Sequence, residues 1–411
     1  MSEQVKLRRQ QILENMPNNS LAVFFASDLV RRSADATYEF SVNRNFYYLT
    51  DCDEDGLILC LIKTEHGSTE RLFIKDYNPT YEKWIGRSLK SEEATKLSGI
   101  DKVSFISEFD GFLAHNLERN PISTIFIDAE RNSLNNRDIE GEKFAKLIHK
   151  TYPAITVQNM NHTVNAMRTI KSKEEIENLK KAIHITQKGI ERLLKDLKPG
   201  KLEYEVVADF NYQLALDKAD NAFGTIAASG ANACILHYVN NEAKLLDGTL
   251  ILLDLGAAYH HYNADISRTF PVNGKFSDRQ RIFYQIVLDA QTEVIKHIKP
   301  GLTTGQLNEI VKKHYAKACV ENAIIASEEE VSNVYYHGVS HFLGLDTHDV
   351  GQLESILLKP GMVITVEPGL YSSQEGIGVR IEDDVLVTET GCEVLSKGIL
   401  KTIEEIEQFM K

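Results

Sequence analysis

Four acids in the second half of the chain are spaced so that their carboxylates could meet: Asp254 and Asp265, then Glu367 and Glu382. Asp254 closes the apolar run Leu250-Ile251-Leu252-Leu253, which has strand length and buried character. Asp265 stands just before a second strand-like run, Ile266-Ser267-Arg268-Thr269-Phe270. The polar segment between them, with Tyr259, His260, His261 and Asn263, is short enough to be a hairpin connection. That predicts Asp254 and Asp265 on neighbouring strands, facing each other. Two carboxylates so placed repel unless a proton or a cation lies between them. A pair of Asp residues is more often a solvated turn, but an acid at the end of a buried run points toward a metal site.

The chain then repeats this arrangement. Lys198-Pro199-Gly200 and Lys299-Pro300-Gly301 each precede a helical stretch, and Asp247-Gly248 and Lys359-Pro360-Gly361 each precede an apolar strand ending in an acid. Asp254 falls opposite Glu367, and Asp265 opposite Glu382. Two similar halves about a pseudo-twofold axis would each deliver two carboxylates to a shared interface. Between the matched acids lies His337-Gly338-Val339-Ser340-His341-Phe342-Leu343-Gly344-Leu345-Asp346-Thr347-His348-Asp349. A lone His is usually a satisfied core residue. Three within twelve positions, among glycines and apolar residues, are harder to explain so. Four carboxylates and one imidazole suit a pair of divalent ions such as Mn²⁺, Co²⁺ or Zn²⁺, whose charge the four acids balance.

These stretches resemble the metallopeptidases of the creatinase or "pita-bread" fold, and most closely the proline-specific aminopeptidase P branch. The motifs are ILHY (235–238), LLDLG (252–256), NADISRTFPVNGKF (263–276), HGVSHFLGLDTHDVG (337–351), TVEPGLY (365–371) and GIGVRIEDD (376–384). RRSADATYEFSVNRNFYYLT (31–50) is similar to that group's N-terminal domain. The resemblance implies an α/β N-terminal domain over 1–160 and an α+β pita-bread catalytic domain with an internal pseudo-twofold over 161–411. It implies the metal ligands Asp254, Asp265, His341, Glu367 and Glu382, and a metal-bridging hydroxide as nucleophile. It gives Glu367 the proton shuttle, His348 the oxyanion, and His237, His337 and Arg380 outer catalytic and substrate-binding positions. The only tryptophan, Trp84, is placed like one that reaches a neighbouring subunit's site in that group. Spacing alone reads Trp84 as local packing under a loop.

The implied activity is hydrolysis between an N-terminal residue and a following proline, with two divalent ions, most simply Mn²⁺, and no organic cofactor. The implied substrates are peptides with proline second, and the implied assembly is a homodimer or homotetramer. The nearest rival is a prolidase, which cleaves only Xaa-Pro dipeptides. A metal-free binding relative fits poorly, because all five ligand positions carry ligand residues.

Length and composition agree. The 411 residues exceed one typical core and predict two domains. Hydrophobic content of 43%, charged content of 26% and a net charge of −13 describe a globular protein with no basic stripe for nucleic acid or anionic membrane. No apolar run reaches membrane-spanning length, and MSEQVKLRRQQILENM lacks a signal peptide's apolar core. Five dispersed cysteines, Cys52, Cys60, Cys234, Cys319 and Cys392, read as reduced thiols in a cytoplasm.

Apolar runs predict N-terminal strands at 21–25, 46–49, 56–62, 71–74 and 124–127, with helices around 5–15, 91–97 and 141–150. Ser172 with Glu175 makes a capping box. It predicts a helix burying Ile176, Leu179, Ile183, Ile190, Leu193, Leu194 and Leu197, stopped by Lys198-Pro199-Gly200.

Overall fold

A computed structural model describes residues 2–131, 133, 135–351 and 356–411. It contains two compact units, Met1–Arg168 and Thr169–Lys411.

The N-terminal unit is built on a six-stranded mixed sheet. Its order is Val103–Phe105, Gly67–Ile74, Ile58–Thr64, Ser20–Phe25, Thr124–Ile127 and Thr156–Asn159. The run Leu21–Phe25 pairs antiparallel with Ile58–Thr64 on one side and parallel with Thr124–Ile127 on the other. Leu21, Val23, Cys60, Phe73, Ile125 and Ile148 form part of its core. The stretch Phe46-Tyr47-Tyr48-Leu49, expected as a strand, is instead helical within Arg44–Thr50. Asn43 caps that helix by accepting from the Phe46 amide, and Asp51 ends it in the left-handed conformation. Every residue from Asn45 to Thr50 is buried, and a short run buried all round carries no period that tells helix from strand. The short strands Val103–Phe105 and Thr156–Asn159 at the two sheet edges, and the helix Phe109–Arg119, were not read from the sequence.

The C-terminal unit says its theme twice. The helix pair Lys173–Asp196 and Glu203–Leu216 leads into strands Ile226–Ser229, Leu250–Leu255 and Ile266–Pro271. The pair Asp278–His297 and Thr304–Glu321 leads into strands Val363–Val366, Asp383–Val387 and Cys392–Val394. Ser172 caps the first helix by accepting from Glu175, as its sequence predicts, and Leu179, Ile183, Ile190, Leu193 and Leu194 are buried on it. The helix Asp278–His297 lies outside the stretches that the sequence reading marks as helical, although Ser277 and Gln280 form the same capping box. Each Lys-Pro-Gly turn places its glycine at positive φ: Gly200 at 94°, Gly301 at 90° and Gly361 at 87°. A type II turn asks for that angle at its third residue, with proline before it.

The connection after Asp254 is not a plain hairpin loop. Ala257–Tyr259 and Tyr262–Asn263 form a small antiparallel pair of their own, turned by His260 and His261 at φ 49° and 62°. Two consecutive positive φ angles are the mark of a type I′ turn, here made without glycine.

Candidate metal and substrate site

The first pair of acids is offset along the sheet. Asp254 pairs with Ser267, and Leu255 with Ile266, so Asp265 lies just beyond the last pair. It sits on the same face as Ser267, diagonal to Asp254 instead of facing it, because side chains alternate with a period of two. Gly256 lets the connection fold back this tightly: a Cβ there would meet the Ala264 carbonyl oxygen at 1.8 Å. In the second half both acids lie just outside the strand pair. Val366 pairs with Asp383, which puts Glu367 and Glu382 one step past that pair.

The two halves are stitched together at this point. The Glu382 amide donates to the Ser267 carbonyl at 3.0 Å. The Arg380 amide donates to Thr269 Oγ1, and Thr269 Oγ1 donates to the Arg380 carbonyl, both at 3.2 Å. The histidine segment runs beside Val363–Val366: Thr365 N donates to the His341 carbonyl at 2.9 Å and Glu367 N to the Val339 carbonyl at 2.9 Å. His341 Nδ1 faces the Phe342 carbonyl at 3.0 Å, so Nδ1 carries a proton and Nε2 turns to the acids. From Nε2 it is 3.4 Å to Asp265 Oδ2 and 3.5 Å to Glu367 Oε1.

Asp265, His341 and Glu382 each offer a ligand atom within 4.8 Å of the others. Asp254 and Glu367 line the same cavity of about 590 Å³, together with His237, His337, His348 and Arg380. Trp84 is not among its lining residues. It belongs to the N-terminal unit, on the short helix Pro79–Ile85, and is 85% exposed, so the expectation of local packing under a loop does not hold.

The electrostatics are those of a cation site. Burial, with the Asp254 charge nearby, pushes Asp265 up to about 7. Burial and the Asp265 and Glu367 charges push Glu382 well above the carboxylate range, and burial also raises Glu367. Burial works against a charged His341, yet the Asp265 and Glu367 carboxylates raise it to about 9. Among the described residues no donor reaches the buried Asp254 Oδ1. Oxygen donors that crowd this closely, one of them without a partner, are what a divalent cation neutralises.

A hydrogen-bonded chain surrounds the acids. Ser267 Oγ donates to Glu382 Oε2 at 2.7 Å and accepts from Arg380 Nε at 2.8 Å. Arg380 Nη2 donates to Asp254 Oδ2 at 2.6 Å, and Nη1 to the Tyr371 hydroxyl at 3.0 Å. His337 Nδ1 bonds to the Gly338 carbonyl at 2.8 Å, which leaves Nε2 to accept from Tyr371 at 2.8 Å. Burial and Arg380 depress His337 to about 4, so it is a neutral acceptor. Gly369 makes room for this contact: a Cβ would lie 2.1 Å from the Tyr371 hydroxyl and 2.8 Å from His337 Nε2. His348 is exposed toward the cavity, its ring edge-on to His341 at 4.5 Å, and burial with His341 nearby lowers its pKa.

The sequence does not single out Ser267, Tyr371 or Thr365, whose hydroxyl accepts from the His341 amide at 3.2 Å. Ser267 carries the signal of its position, two residues past Asp265 and therefore on its face. Tyr371 carries no such signal, since it lies on a separate strand, Gly369–Ser372, that begins after Glu367.

Comparison with known proteins gives the same answer along the whole chain. Residues 177–389 match metallopeptidase family M24, and residues 5–126 match the aminopeptidase P N-terminal domain. The Xaa-Pro aminopeptidase of Escherichia coli is 36% identical over 99% of this chain and 97% of its own. A solved Bacillus anthracis structure is 45% identical, with a TM-score of 0.97 over 100% of this chain and 98% of that one. Aminopeptidase P from E. coli, solved with the inhibitor Pro-Leu, is 34% identical, with a TM-score of 0.92 over 100% of this chain and 98% of its own. The chain belongs to metallopeptidase family M24, and its N-terminal domain is of the aminopeptidase P type.

Proposed function

We propose that this protein is a metal-dependent Xaa-Pro aminopeptidase that releases the first residue of peptides with proline second. The carrying observation is the convergence of Asp265, His341 and Glu382 in one cavity with Asp254 and Glu367. Full-length likeness to an Xaa-Pro aminopeptidase supports this reading over the prolidase one.

Asp254, Asp265, His341, Glu367 and Glu382 are our metal ligands, and their four carboxylates suit two divalent cations, for which we favour Mn²⁺ over Co²⁺ or Zn²⁺. Cations held there polarise a carbonyl and lower the pKa of a bound water. Glu367, raised in pKa by burial, is suited to pass a proton from the attacking water to the leaving proline nitrogen. That nitrogen departs as a secondary amine and needs the proton. His348, kept neutral, can donate an N–H to the oxyanion. His237 and His337 flank the peptide, and Arg380 orients Asp254. Proline has no N–H and a fixed φ, so it is recognised by the shape of a pocket and not by strand pairing. Trp84, exposed on the N-terminal unit, would complete that pocket from a neighbouring subunit in a homodimer or homotetramer.

All five cysteines are free thiols, which fits the reducing cytoplasm. Among the described residues no helix is long and apolar enough to cross a membrane. The test compares an Xaa-Pro dipeptide with an Xaa-Pro-Xaa tripeptide in the presence of Mn²⁺. Cleavage of the tripeptide before proline is expected, and turnover of the dipeptide alone would establish a prolidase instead.

A further inference from the structure

One wall of the cavity is formed in part by the stretch between Ser229 and Ala243, which opens with a short 3-10 helix, Gly230–Cys234, and carries His237. His237 has no regular strand or helix to hold it; Tyr336 donates to the Cys234 carbonyl at 2.7 Å and Asn241 Nδ2 to the Val239 carbonyl at 3.2 Å, and the largest set of bonds to the stretch gathers on one buried side chain. Glu203, at the start of the helix Glu203–Leu216, is fully buried. Its Oε1 accepts from the Ser229 amide at 2.7 Å, from Ser229 Oγ at 2.7 Å and from Asn232 Nδ2 at 3.2 Å. Its Oε2 accepts from the Tyr238 hydroxyl at 2.9 Å and from the Ala243 amide at 2.9 Å. The Glu203 amide also donates to the Ala243 carbonyl at 3.0 Å.

A buried carboxylate is costly unless its lone pairs are filled. Five donors fill them, and all five come from the segment that carries His237. They clamp its beginning, its end and the residue beside His237. None of the metal-ligand candidates touches Glu203, so its bonds serve the wall and not the metal ligands.

We propose that Glu203 is a positioning residue for His237: by gathering Ser229, Asn232, Tyr238 and Ala243 onto one carboxylate, it sets where the imidazole stands in the cavity. This rests on the reading of His237 as a residue that meets the peptide. Only a group that accepts at both oxygens can do it. A Gln in its place presents an NH₂ to the Ala243 amide, two donors face to face.

The test is a double-mutant cycle of Glu203→Gln and His237→Ala, read as KM and kcat on an Xaa-Pro-Xaa tripeptide, with metal content measured throughout. Glu203→Gln should raise KM about tenfold, with kcat within about twofold and metal content unchanged, as expected when binding shared equally by ground and transition state is lost. In the His237→Ala background it should add less than about twofold, because the residue it positions is gone. A wild-type KM for Glu203→Gln, or factors that multiply in full in the double variant, would overturn the proposal. If Glu203→Gln does not fold, Tyr238→Phe removes one donor from the same carboxylate. It should raise KM by about threefold and lose that effect without His237, and an unchanged KM overturns the proposal. Should the wild-type protein cleave no Xaa-Pro peptide, the function fails on its own. The His237 ¹³Cε1 resonance then decides: a shifted signal in Glu203→Gln supports the positioning role, and an unmoved one ends it.

Discussion

Arg380 Nη2 lies 2.6 Å from Asp254 Oδ2, an ion pair that joins the acid of the first half to the last residue of a strand in the second. The same guanidinium holds Ser267 and Tyr371, so one planar fork orients groups on three strands. Burial alone would lower its pKa, but Tyr371, Asp254 and Glu382 raise it well above the usual value, and it stays charged. Lysine offers a point charge and no fork. Arg380→Lys should therefore lower metal affinity or kcat by roughly 10- to 100-fold. Metal titration beside steady-state kinetics checks this, and wild-type values in both would show that the fork is dispensable.

Chelator treatment should abolish peptidase activity, and Mn²⁺ or Co²⁺ should restore it. Asp265→Ala and Glu382→Ala should each abolish binding of a cation pair, since both side chains lie in one cluster with His341 and each is expected to serve both ions. Elemental analysis that finds two tightly held ions in either variant would refute their shared role.

Cation removal should cost the C-terminal unit more stability at pH 8 than at pH 6. Asp265 titrates at about 7 when folded and near 3.9 when unfolded, so its burial penalty grows as pH rises through that window. His341 is raised to about 9, so the stability its charge contributes is present below about 6.5 and lost as pH climbs through 9. Both act in the same direction. Bound cations add about 2.7 kcal/mol at a hundredfold excess over Kd. Calorimetry with and without chelator at the two pH values reads the difference. Superimposable curves in all four conditions would contradict carboxylates packed around shared cations.

Lys171 Nζ and Asp349 Oδ2 are 2.9 Å apart, and both side chains are 1% exposed. The pair ties the start of the C-terminal unit to the loop that carries His348. Gly344 is required beside it, because a Cβ there would meet Asp349 Oδ2 at 2.2 Å. Asp349→Ala leaves an ammonium buried and should destabilise the unit by about 3 kcal/mol or more. Replacing both members by apolar residues should cost less than the single change. Urea unfolding of the three proteins gives the comparison.

Much of this site was legible in the chain itself. An acid at the end of Leu250–Leu253, another before Ile266–Phe270, and the same arrangement repeated near Glu367 and Glu382 announce paired carboxylates, because charge at the end of a buried run needs a partner. The Ser172–Glu175 and Lys-Pro-Gly signals also act locally, which is why the helix Lys173–Asp196 and the turns were readable. What depends on distant contacts was decided only by folding. In the helix Arg44–Thr50 every residue from Asn45 on is buried, and no period marks it. The offset of Asp254 from Asp265 follows from a small strand pair inside their connection. Glu203 meets Ala243 forty residues on, and Arg380 meets Asp254 across 126. Hydrogen bonds of that separation leave no spacing in the sequence, since the sheets and helices between them set where the partners meet.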